Sequence, residues 1–150
     1  MARWTHWEFD RFGIKLRTNW GWESIGGRNE WTAYQTILAI GRLRFHCFHR
    51  PDGDAEPHDH MWDFWTFPLV SYTEQVYRDH ASDRVHRKDV VKRFRLHRRR
   101  AEHMHRLTGP ANKLEGRVWT IVWTGKKRRE WGFLTKSGWV PWREFLKDRL

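Results

Sequence analysis

The chain has 150 residues, 39% hydrophobic and 31% charged, with a formal net charge of +11. That length suits one domain with a real buried core, and no run approaches the roughly 18 apolar residues of a membrane-spanning helix. The single cysteine, Cys47, excludes an intrachain disulfide and any cysteine-built zinc finger, and with no apolar signal segment at the N-terminus the expected location is the cytoplasm.

Twelve Trp and nine Phe make the expected core largely aromatic, which favours pleated, half-buried surfaces and hence strands. Trp4, Trp7 and Phe9 suggest an apolar first strand, which would either cross to a second copy in a homodimer or cover one end of its own domain. Gly21 to Asn29 reads as a loop, and Trp31 to Phe48 as one or two strands. Within them Leu43, Phe45 and Cys47 alternate with Arg42, Arg44 and His46, the period of a half-buried strand, so Cys47 is expected to be a buried structural thiol. Pro51-Asp52-Gly53-Asp54 is a turn by composition and leads to His58. Phe64 to Tyr77 is β-rich, with Pro68 at an edge or bulge. Asp79 to Arg87 reads as a connection, Val90 to His97 as an alternating strand, and Leu107 to Gly116 as a loop. Val118 to Thr124 is a strand that forms a hairpin with Trp131-Gly132-Phe133-Leu134 across the basic turn Lys126 to Arg129. Pro141 opens a short helix whose Trp142, Phe145 and Leu146 share one face.

The chemistry concentrates at His58-Asp59-His60. Imidazoles at i and i+2 of an extended segment project to one face and can grip one transition metal. Glu102-His103-Met104-His105 offers a third ring. Such a facial set leaves coordination positions open, as catalytic or ligand-binding sites do.

Gly53, His58 and His60 in this order, the looser match of residues 100 to 105, and the strand-rich stretch Val118 to Phe133 together resemble the cupin superfamily. The likeness is to small cupin-like proteins of phages and bacteria. It implies an all-β fold, a double-stranded β-helix (jelly-roll) barrel. The whole of residues 1–150 would form one cupin-like domain, with a barrel core at about 31–135 and a short C-terminal helix at about 141–150. It also implies a divalent metal, iron, zinc, manganese or nickel, held by His58, His60 and His105. The sequence departs from the family pattern where a glutamate ligand would fall, near Phe64 or Trp65. Asp63, Glu74 and His103 are therefore candidates for a fourth ligand or for orienting the histidines. Arg106 could neutralise an anionic substrate. Trp65 and Trp119 read as core residues, or alternatively as aromatic walls of the pocket mouth.

Two functions follow as expectations. One is a metal-dependent enzyme, an oxygenase or a Lewis-acid catalyst, acting on a small anionic or nucleotide-like molecule. The other is a non-catalytic cupin scaffold that binds nucleic acid or an acidic protein through its basic, Trp-rich surface.

Overall fold

Alternation of β-branched and aromatic residues with polar ones puts most of the chain into strands. The computed structural model describes residues 4–25, 28–52, 56–78, 84–110 and 116–147. In chain order the elements are β1 Trp4–Arg11, β2 Ile14–Ile25, β3 Arg28–Ile40, β4 Leu43–Phe48, β5 Phe64–Pro68, β6 Tyr72–Tyr77 and β7 Val85–Val91. There follow β8 His97–Arg99, β9 His105–Pro110, β10 Val118–Thr124, β11 Gly132–Thr135, β12 Gly138–Pro141 and α1 Trp142–Phe145. Seven strands join in the order β1-β2-β3-β4-β10-β5-β8, three as β7-β6-β9, and β11 pairs with β12. All named pairs are antiparallel. The mostly-β expectation with a short helix near the C-terminus holds at this level. The strand pairings themselves describe open sheets.

Several local expectations need correction. Val118 to Thr124 forms no hairpin with Trp131 to Leu134, because β10 lies between β4 and β5 while β11 turns back on β12. Of the expected connection Asp79 to Arg87, residues 85 to 87 belong to β7 and residues 79 to 83 lie outside the described residues. Of the expected loop Gly21 to Asn29, residues 21 to 25 and 28 to 29 are strand, because β2 and β3 pair from Ile14↔Ile40 to Ile25↔Arg28, and residues 26 and 27 lie outside the described residues. Val90 to His97 is not one strand. Phe94 takes a left-handed φ of 57° where the chain leaves β7 for β8 in the other sheet, and Phe94 and Leu96 are exposed. The stretch from Leu107 begins as strand, since β9 pairs with β6 as far as Tyr72↔Pro110. The terminal helix is a single turn at Trp142–Phe145 following Pro141, and residues 148–150 lie outside the described residues. That turn docks by stacking, Phe145 on Phe133 at 4.0 Å and Trp142 on Trp131 at 5.8 Å between ring centroids.

The large sheet and the β7-β6-β9 sheet face each other across a shared core. Tyr72, Val91 and Leu107 from the smaller sheet pack with Val118 of β10, and Phe48 of β4 closes on them. A second cluster joins Tyr77 and Met104 to Leu134 of β11, with Trp139 of β12 against it. Since Phe48 points into the core, so do His46 and Arg44 at two and four residues back. Their partners on β10 are Val118, Thr120 and Val122, all buried. The strand therefore turns its polar set inward. Leu43 and Phe45 lie on the opposite face with Trp119 and Trp123, which are 45% and 51% exposed. Cys47 is buried as expected, and desolvation raises its thiol pKa.

Candidate metal centre

Residues 57 to 60 run extended between β9 and β11, with isolated bridges from His58 to His105 and to Phe133. Their backbone is fixed on both sides. His58 N–H donates to the His105 carbonyl at 2.9 Å, and the His58 carbonyl accepts from His105 N–H at 3.0 Å. Asp59 N–H reaches the Gly132 carbonyl at 3.1 Å, His60 N–H the Ala101 carbonyl at 2.9 Å, and Leu134 N–H the Pro57 carbonyl at 2.9 Å. The buried Asp59 side chain completes the clamp. It accepts from Gly132 N–H at 2.7 Å and Trp139 Nε1 at 3.1 Å, and pairs with Arg129 at 2.8 Å. With Asp59 turned toward the β11–β12 hairpin, alternation turns both flanking histidines the other way. Gly132 is required there, because a Cβ would sit 2.2 Å from the Val140 carbonyl oxygen.

The three rings converge. Centroids of His58 and His60 lie 5.4 Å apart, and His105 is 5.0 Å from each. One nitrogen from each ring falls within 4.8 Å of the others, so this group could hold a metal ion. The imidazole Nδ1 of His60 is buried with no hydrogen-bond partner. Burial first, then the neighbouring rings of His105, His58 and His103, hold the His60 pKa well below its ordinary value, although Glu74 opposes this. A neutral imidazole with a buried, unsatisfied nitrogen suits a metal donor.

Glu74 orients the site. From the fully buried inward face of β6, its Oε2 accepts from His105 Nδ1 at 2.7 Å, which leaves Nε2 of that ring for a metal. Its Oε1 accepts from Arg99 at 2.7 Å and from His103 Nε2 at 3.2 Å. Burial works against the Glu74 charge, but His105 and His103 outweigh it and hold the carboxyl well below the usual carboxylate range. Glu74, His103 and His105 form a second geometric group able to take an ion. Both Glu74 oxygens are already engaged, so the all-histidine group is the better donor set.

The other sequence candidates lie elsewhere. Asp63 is turned away. Its Oδ1 accepts from Ala101 N–H at 2.8 Å and is paired with Arg128, and although burial opposes its charge these contacts lower its pKa. Arg106 alternates with His105 and Leu107 on β9, so it faces away from the rings and donates to the Asp52 carbonyl at 3.4 Å. Trp65 and Trp119 lie on the outer face of the large sheet, Trp65 opposite Arg98 and Trp119 opposite Cys47. Neither lines the pocket, because the strand period sends the inward positions to Thr66, Val118 and Thr120.

One residue beside the rings escaped the sequence reading. Asp52, taken as part of a turn, is buried with Oδ2 3.8 Å from His58 Nδ1. It also accepts from Leu107 N–H at 2.6 Å and from the Tyr34 hydroxyl. A second carboxylate thus stands behind a second histidine, and only its closeness in sequence to His58 hinted at this.

Compared with known proteins, the chain matches no family model, and no curated protein resembles it in sequence. No helix among the described residues is long and apolar enough to cross a membrane.

Proposed function

We propose that this chain is a cupin-like metalloenzyme whose two sheets form a jelly-roll barrel around an ion held by His58, His60 and His105. The carrying observation is the Glu74 carboxylate at 2.7 Å from His105 Nδ1, behind three rings about 5 Å apart. Carboxylates behind ligating histidines fix the tautomer and the ring orientation. A purely structural histidine cluster has no need of a buried imidazole nitrogen without a partner.

Iron there would bring substrate and dioxygen together, whereas zinc, manganese or nickel would polarise a bound group as a Lewis acid. The protein's own residues perform the remaining tasks. Glu74 sets the His105 ring, Asp52 places a negative charge 3.8 Å from His58 Nδ1, and Arg99 balances the Glu74 charge. Phe64, with its ring 4.6 Å from His60, shields one side from water. The substrate is a small anionic molecule.

Elemental analysis of protein purified from unsupplemented cells tests the reading. Wild type is expected to carry about one transition-metal ion per chain, as one site requires, and the His58→Ala, His60→Ala double variant less than about a tenth of that. Equal metal in both proteins would refute the assignment.

A further inference from the structure

The inward face of β4 carries two polar side chains that the metal centre does not use. Arg44 and His46 stand two residues apart on the face that Phe48 turns into the core. His46 is opposite the buried Thr120, and Arg44 is opposite Val122, whose other partner is Thr66. The hydroxyls of Thr66 and Thr120 are hydrogen-bonded to each other. Phe64, the next inward residue on β5, is the one that packs on His60. The Arg44 guanidinium lies 4.5 Å over the ring of Trp62, only two residues beyond His60. The pair therefore shares the inward face of the large sheet with Phe64, the residue that packs on His60.

Both side chains are incomplete. Arg44 Nε and His46 Nε2 are buried and have no hydrogen-bond partner. Among the described residues no carboxylate pairs with Arg44, whereas the neighbouring inward guanidinium, Arg99, is neutralised by Glu74. Burial, then the nearby Arg44 charge, depress His46 to a pKa of about 3, so its imidazole is neutral. One half-buried positive charge, stacked on Trp62 but with no carboxylate beside it, thus lies on this face, with open donors on two adjacent groups. Buried unpaired charges are costly and persist where something completes them. A carboxylate brings one negative charge and two coplanar acceptors, the geometry a guanidinium fork matches.

We propose that Arg44 and His46 form the carboxylate subsite of this enzyme, and that its substrate is a small carboxylic acid whose far end reaches the His58, His60 and His105 centre. The subsite stands on the β4 geometry, while its role for a substrate rests on the metal reading above.

Metal-free protein, prepared with a chelator, is titrated with sodium propionate, sodium phosphate and sodium chloride at matched ionic strength, with the thermal midpoint as readout. Propionate is expected to raise the midpoint saturably and more effectively than phosphate. Arg44→Gln should weaken propionate about tenfold to a hundredfold, the usual loss for a charge-assisted contact. His46→Leu should weaken it about tenfold, which keeps the test open if the first variant does not fold. A wild-type protein with no saturable response, one that prefers phosphate, or variants that respond as wild type does would overturn the subsite. Because no metal is present, failure of the metal reading leaves this result intact. Zinc is then restored and malonate, succinate and glutarate are compared with propionate. At least one diacid should gain about tenfold in wild type but not in the His58→Ala, His60→Ala variant, and no gain by any would overturn the substrate role.

Discussion

The two faces of β4, β10 and β5 contrast sharply. Inward lie Arg44, His46, Thr66 and Thr120, and outward lie Leu43, Phe45, Trp119 and Trp123. An antiparallel sheet with one solvated side ordinarily shows the reverse, apolar toward the core and polar toward water. Here the main apolar clusters lie around Tyr72, Leu107 and Val118 and around Met104 and Leu134, while Phe64 and Val122 are buried among the polar positions. The space between carries ionisable groups. A polar lining costs stability, and proteins keep such violations of patterning where chemistry uses them.

The sharpest way to break this contrast is at Glu74. Glu74→Ala leaves Arg99 as a buried charge without its partner and frees the His105 ring. A loss of about 3–5 kcal/mol is expected by denaturant titration, with metal affinity down by about tenfold to a hundredfold. Unchanged stability would mean that the inward face is wetter than its burial indicates. Acid comes next. The folded protein holds His46 near 3 against an ordinary 6.5, so between those values the unfolded chain binds a proton that the folded chain refuses. Stability conferred by this site is complete above pH 6.5 and falls as the pH drops toward 3. His46→Leu should remove a slope of at most about 1.4 kcal/mol per pH unit, seen as a variant that outlasts wild type increasingly toward pH 4.

Arg44→Met sharpens the contrast from the other side. Exchanging a half-buried cation that has no carboxylate partner for an apolar chain of similar length should raise stability by about 1 kcal/mol while the metal content stays unchanged. A destabilised variant would show that Arg44 has a partner in the free protein. On the outer face, Trp119→Ser should cost about 1 kcal/mol or less and leave metal affinity unaltered, since the side chain is nearly half exposed and faces away from the rings.

These faces also show what could be read from residues alone. The His-x-His spacing, the third ring at His105 and the β-rich character were legible because they depend on local period and on donor chemistry. Which side of β4 faced inward was not. Leu43, Phe45 and Cys47 against Arg44 and His46 gives a period of two for either orientation, and only the packing of Phe48 on Val118 and Tyr72 decides it. Glu74 was a candidate at an unhelpful spacing, and long-range pairing of β6 with β9 made it a neighbour of His105. Asp52 looked like an ordinary turn residue, since nothing local links it to Leu107 N–H. The N-terminal hairpin escaped detection because its glycines resemble a loop until the facing strand is known.

The Asp59 clamp has a consequence for the order of assembly. Residues 57–60 gain their backbone and side-chain partners from residues 101–105 and from Arg129, Gly132, Leu134 and Trp139. During synthesis, therefore, the two leading imidazoles have no fixed direction until Trp139 has cleared the ribosome. An ion taken up by this group would therefore meet the finished geometry only late, and any earlier capture would fall to a loosely held pair of rings.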